Sequence, residues 1–188
     1  MNNGFQRWGI LLGVGLVIVV LDQITKTLVM HTMHLHESIP VIAGFFNLTY
    51  IRNPGAAFGM FATTNSAFRL IFFAGTSIFA LGLLGTIFYR MHPADVWGQL
   101  SVAGIFGGAI GNLLDRLQYG EVVDFLDFYV GGHHWPAFNV ADSAISVGVV
   151  SLLILFAMDN KKESPAPPIE PAEADTPNGI EKGTNHDL

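Results

Sequence analysis

Two aspartates, Asp124 and Asp142, stand eighteen positions apart in a chain with few other groups able to do chemistry. Asp142 closes the run Phe138-Asn139-Val140-Ala141-Asp142, at the mouth of an apolar segment that continues to Met158. An ionisable side chain is costly to carry toward a bilayer centre, so one kept at such a place marks a functional site by default. Two carboxylates in one apolar site cannot both ionise cheaply: one keeps a proton, the other stays charged, and the pair titrates as a unit. That state suits activating a water with one carboxylate while the other polarises and protonates an amide. The chain has no cysteine, which removes thiol nucleophiles, thiolate metal sites and disulfides together.

The elements that must position these acids are membrane helices. Of 188 residues, 51% are hydrophobic and only 13% charged, and the apolar residues come in blocks. Crossing a bilayer takes about 20 such residues, and four blocks reach or approach that length. The pattern predicts helices over about 8–30, 68–89, 96–116 and 140–158, an all-α polytopic membrane protein with a small β-rich part outside the bilayer. Arg7 and the run after it also look like the front of a secretory signal peptide, but no small-x-small cleavage site follows, so a retained first helix is expected. Residues 1–158 then form one membrane-embedded domain. From Asp159 to Leu188 there are seven acids against three bases and five of the nine prolines, a composition that cannot bury enough surface to fold. The reading for 159–188 is a disordered acidic tail.

Between the helices, two regions read as β-rich, about 36–62 and 122–139. Phe45 to Ile51 is rich in aromatic and β-branched residues, and Asn53-Pro54-Gly55 reads as a turn in which Gly55 can take a positive φ. Val122 to Val130 reads as a strand and Gly131-Gly132 as a two-residue hairpin turn. If Val130 pairs with His133, the register places Asp124 opposite Asn139. Asp127, an odd number of residues from Asp124, then points to the other face. The third helix carries Gly104, Gly107, Gly108 and Gly111 in small-xxx-small spacing, which lets helices approach closely.

Followed through four crossings, the polar groups collect at one membrane face. Asp22 and Lys26 end the first helix, Asn53 lies in the next loop, Asn112 and Arg116 end the third helix, Asp124 follows, and Asn139 and Asp142 begin the fourth. Each has a bland reading too. Asp22 and Lys26, four apart, form either an interfacial ion pair or a brace for a polar site. Asp115 and Arg116 can be interfacial anchors, and Asn53 can merely serve its turn. Asn139 can cap the fourth helix with Asp142 at its third position, a role compatible with catalysis, and the helix end then favours an ionised Asp142 as base, with Asp124 holding the shared proton. His31, His34 and His36 lack a matching carboxylate or an HExxH pattern, so they read as loop histidines and no metal is expected. Lys and Arg near the helix ends are evenly divided between the two faces, and the positive-inside count is a tie.

Five stretches together carry a resemblance: Asp22-Gln23-x-x-Lys26, Asn53-Pro54-Gly55-Ala56-Ala57-Phe58, Gly108 to Arg116, Val123-Asp124-Phe125 and Phe138 to Asp142. In order and spacing they resemble signal peptidase II, the bacterial lipoprotein signal peptidase family (aspartyl peptidase family A8). The resemblance implies four transmembrane helices with a β-rich periplasmic cradle, in a multi-pass protein of the bacterial inner membrane with both termini cytoplasmic. It implies an intramembrane aspartyl endopeptidase with Asp124 and Asp142 as catalytic pair, cutting prolipoproteins just before a diacylglyceryl-modified cysteine. Asp22, Lys26, Asn53, Gly55, Asn112, Arg116 and Asn139 would bind substrate or support the site. Membrane lipids and globomycin-type inhibitors are the other implied partners; neither cofactor nor nucleic acid is expected. The acidic tail exceeds what the family core requires.

Two other classes make different demands. A transporter or proton channel predicts ionisable groups through the membrane midplane, whereas these gather at one end. A membrane scaffold predicts that neutralising Asp124 or Asp142 leaves function intact.

Overall fold

The structure, a computed structural model, describes residues 3–55 and 65–162. In chain order it contains α1 (Asn3–Thr32), β1 (Ser38–Ile42), β2 (Phe46–Asn53), α2 (Ser66–Arg90), α3 (Val96–Tyr119), β3 (Val122–Val130), β4 (His133–His134) and α4 (Val140–Lys162). All four expected helices are present and each is longer than its apolar run, and polar residues cap the starts of α2 and α3. Asn65 accepts from the Ala67 amide at the start of α2, and Asp95 accepts from the Gly98 amide at the start of α3. Gly120, at φ 75°, stops α3 in a left-handed conformation that a Cβ would disfavour. Helix α4 continues to Lys162, so the boundary expected at 159 moves into the tail; 163–188 and 56–64 lie outside the described residues.

Among the described residues, three helical stretches are long and apolar enough to cross a membrane: Arg7–Thr32, Ser66–Arg90 and Val140–Asp159. They leave large apolar side chains exposed, among them Leu12, Leu16, Ile71, Phe79, Val147 and Phe156, as expected of surfaces that meet lipid. Helix α3 is different. It packs against each of the other three, and it buries Gln99, Asn112 and Asp115, the last two beside the buried Asp22 and Lys26 of α1. Its glycines make that packing possible: Gly107 lies against the Gly15 backbone of α1, and Gly108 against the Ala141 carbonyl of α4.

The sheet is antiparallel throughout, in the order β1-β2-β3-β4, so the fold is not purely helical. Val29 of α1 and Met33 just beyond its end pack with Tyr50, Val123 and Phe125 in a buried cluster that ties the sheet to one end of the bundle. The hairpin begins as expected, with Val130 opposite His133 and Tyr129 opposite His134. Further along, Leu126 bridges Phe138 rather than Ala137. The register therefore slips by one residue across the Trp135-Pro136-Ala137 stretch, where proline has no amide to donate.

Candidate active site

Asn139 is fully buried and sits where β3, α3 and α4 meet. Its side-chain amide donates to Asp124 Oδ1 at 2.8 Å and also lies within 3.2 Å of the Val123 carbonyl and Asn112 Oδ1. Its Oδ1 accepts from the Asp142 amide at 2.9 Å, and Asp142 Oδ2 accepts from the Asn139 amide at 3.3 Å. This reciprocal pair is a capping box, which satisfies amides at the start of α4 that have no helical partner. One residue thus terminates a helix and touches both aspartates.

Asp124, 2% exposed on β3, takes a second hydrogen bond at Oδ2 from Asn53 Nδ2 at 2.9 Å. The pairing explains the reach: Asn53 lies opposite Val122, and Asp124 is the next side chain on that face of the strand. Asn53 also keeps its turn role, since its Oδ1 accepts from the Gly55 amide at 2.9 Å and Gly55 has φ 90°. Burial pushes the Asp124 carboxyl up to about 7; Asp142 adds to the rise, while the hydrogen bonds from Asn53 and Asn139 and the charge of Lys26 oppose it. Asp142 accepts at Oδ1 from Asn112 Nδ2 at 2.7 Å. Both aspartates line one cavity of about 520 Å³, together with Asn53, Phe138, Ser143 and the exposed Trp135.

Beneath this pair lies a second polar layer. The Lys26 ammonium makes ion pairs of 2.8 Å with Asp22 and with Asp115, and donates to Asn112 Oδ1 at 3.0 Å. Its three protons therefore meet three acceptors, as burial of a lysine demands. Each acid carries the structure further: Asp22 Oδ1 accepts from the Ala141 amide at the start of α4, and Asp115 Oδ2 accepts from the Val123 amide beside Asp124. Lys26 thereby links the two elements that bear Asp142 and Asp124.

The remaining residues are more peripheral. Arg116 donates to the Asn112 carbonyl at 3.3 Å, lies over the Phe73 ring, and shares with Asn112 and Asp142 a groove of about 320 Å³ between α2, α3 and α4. Helix α2, whose sequence has no charged residue between Arg69 and Arg90, contributes Phe73, Thr76 and Ser77 to that groove. Gly55 packs where a Cβ would collide with Phe73. Asp127 is turned away from the pair as alternation requires, bonding Asn47 at 2.9 Å and His134 at 2.8 Å. Among the described residues, no group of three or more acidic or histidine side chains is arranged to hold a metal ion.

The family model for signal peptidase (SPase) II matches residues 14–158. The chain belongs to the signal peptidase II family. It is accordingly a protease of the aspartic family A8 and a bacterial membrane protein. A lipoprotein signal peptidase of Syntrophus aciditrophicus is 48% identical over 148 residues, covering 79% of this chain and 92% of the relative. One from Desulforapulum autotrophicum is 53% identical over 137 residues, covering 73% and 85%. A solved bacterial membrane enzyme structure superposes with a TM-score of 0.74 at 33% identity, over 85% of this chain and 94% of that one.

In this signal peptidase II chain, the sequence reading names Gln23 and Asp115 but leaves both out of the site. Gln23 Nε2 bonds Asp115 Oδ1 at 2.9 Å and lies 3.2 Å from Asp22 Oδ2, completing the lower layer. The available signal was the spacing of Asn112 and Asp115, three apart on a glycine-packed helix and hence both inward. Pairing Asp115 with the adjacent Arg116 as an interfacial anchor obscured it.

Proposed function

We propose that this protease is an intramembrane aspartyl endopeptidase that removes signal peptides from prolipoproteins, cutting just before the diacylglyceryl-modified cysteine. The observation that carries this reading is the shared contact of Asp124 and Asp142 with Asn139 at the wall of one cavity. Asp142, set at the positive end of α4, is the ionised base. Asp124, whose buried carboxyl holds its proton near neutrality, is the acid. Asp142 takes a proton from water as the oxygen attacks the scissile carbonyl, and Asp124 gives its proton to the carbonyl oxygen. Collapse of the gem-diol intermediate breaks the C–N bond: one hydroxyl returns its proton to Asp124 as the carbonyl re-forms, and the proton held by Asp142 passes to the leaving amine. Asn53, Asn112 and Asn139 orient the two carboxylates, Asp22 and Lys26 brace them from below, and Arg116 and Gly55 shape the approach.

In this reading α3 makes a fourth crossing, shielded from lipid by its neighbours. The site lies at the periplasmic face of the inner membrane, both termini and the acidic tail are cytoplasmic, and the sheet cradles the substrate. The groove running from Asp142 between α2 and α4 admits apolar chains from the bilayer. Globomycin-type cyclic peptides occupy the same cavity as the substrate.

The test is cleavage of a purified diacylglyceryl-modified prolipoprotein in lipid vesicles by wild type, Asp124→Asn and Asp142→Asn, each checked for intact folding. Cutting before the modified cysteine by wild type alone is the expected result. Near-normal turnover by either folded variant returns that aspartate to a purely structural role.

A further inference from the structure

The end of the bundle far from the aspartates contains a polar cavity that the peptidase chemistry does not use. Arg7 precedes Lys26 by nineteen residues of continuous helix, about 28 Å along the axis, close to the ~30 Å thickness of a bilayer's hydrocarbon core. Exposed Trp8, Tyr89 and Trp97 surround this end, the placement of an aromatic belt at a membrane interface. Arg7, Ile10, His92, Pro93, Val96 and Gln99 line a cavity of about 330 Å³ here.

Two buried polar atoms of these residues lack a partner among the described residues: Gln99 Oε1 and Arg7 Nε. Gln99 is 0% exposed, and its Nε2 donates to the carbonyls of His92 at 3.1 Å and Pro93 at 3.0 Å. Two carbonyl partners fix which end of the amide is nitrogen, so Oε1 is an acceptor with no donor. Arg7 spends its Nη2 on the Phe88 and Tyr89 carbonyls that end α2, and its Nε–H is left over. His92 Nδ1 accepts from the Ala94 amide at 3.2 Å, which puts the ring proton on Nε2 as a further donor. Asp95 is engaged in capping α3 through the Gly98 amide. A buried unmet donor or acceptor costs about 1–3 kcal/mol, so the cavity calls for a ligand with an anionic acceptor and N–H donors close together. Water can fill such a place, but at this depth the group present at high concentration is a lipid head.

We propose that this cavity binds the head group of a phospholipid bearing both a phosphate and a primary ammonium. The phosphate accepts from Arg7 and His92, and the ammonium donates to Gln99 Oε1. A bound lipid would hold this end of the bundle at head-group level and so fix the depth of the opposite end.

The experiment is native mass spectrometry of the full-length protein from micelles containing equimolar phosphatidylethanolamine, phosphatidylcholine and phosphatidylglycerol with identical acyl chains. Phosphatidylethanolamine should be retained about tenfold over the other two, the effect of one charge-assisted hydrogen bond. The preference should vanish in Gln99→Met, and Arg7→Met should lower retention of all three lipids alike, with prolipoprotein cleavage retained as the check on folding. Equal retention of the three lipids, or none, overturns the proposal on wild type alone, whether or not the variants fold. Displacement of the lipid by phosphoethanolamine at an equal concentration overturns the lipid assignment in favour of a soluble ligand.

Discussion

Asn139 and Asp142 hold each other through two hydrogen bonds running in opposite directions, each backbone amide donating to the other's side chain. The arrangement stiffens the first turn of α4 and fixes the direction of the Asp142 carboxylate. The free side-chain amide of Asn139 is then aimed at Asp124. A helix cap has been made into the spacer between two acids.

Replacing Asn139 by alanine should therefore separate stability from activity. Loss of the cap costs about 1 kcal/mol, a modest drop in melting temperature. Turnover should fall further, by about a hundredfold, within the range for a displaced general acid. Thermal unfolding and cleavage rates measured on the same preparation check this; proportional small losses in both would leave Asn139 only a cap.

The Asp124 carboxyl, at about 7 against an ordinary 3.8, sets a pH signature. If Asp124 acts protonated, kcat/KM should fall as pH rises through about 7. The stability sign runs the same way. Between 3.8 and about 7 the folded chain holds a proton that the unfolded chain has released, so stability declines as pH rises across that window. Asp124→Asn should flatten this decline, as read by thermal unfolding in detergent at a series of pH values.

Lys26→Met should be severely destabilising, by about 3–5 kcal/mol, because Asp22 and Asp115 would be left buried without a counter-charge. Adding Asp22→Asn and Asp115→Asn should recover much of that loss, since amides need no counter-ion. Unfolding curves of the single and triple variants give the comparison. A fully stable single variant would mean the acids find another partner.

The glycines of α3 should not be equivalent. A Cβ on Gly108 would be driven into the Ala141 carbonyl oxygen of α4, a backbone atom that cannot swing aside. Gly108→Ala should then cost about 1–3 kcal/mol as overpacking and reduce cleavage, because Ala141 adjoins Asp142. At Gly104 the nearest atom is the Ala144 carbonyl oxygen at 3.6 Å, ordinary contact, and Gly104→Ala should be close to neutral. Melting temperatures of the two variants decide.

Much of this was legible without coordinates, because it depends on local pattern. The four helices follow from apolar run lengths, the hairpin from Gly131-Gly132, the opposite facing of Asp124 and Asp127 from strand alternation, and the Asn139 cap from its place before an apolar run. The slip from Ala137 to Phe138 opposite Leu126 was not legible, since a proline-containing arm can pair in more than one register. Asn139 reaches Asp124 in spite of that slip, through its side chain.

The sequence by itself determined which residue types meet at one end of the bundle: asparagines, two acids at the start of α4 and in β3, and a lysine on the face of Asp22. Only the tertiary structure decided how charge is distributed among them. Lys26 joins acids from two helices, Asp22 and Asp115, that no local spacing connects, and Asp124 is driven toward its neutral form by burial. Periodicity and capping are properties of a few consecutive residues, whereas desolvation and ion pairing depend on how closely distant segments pack, and here the glycines of α3 set that distance.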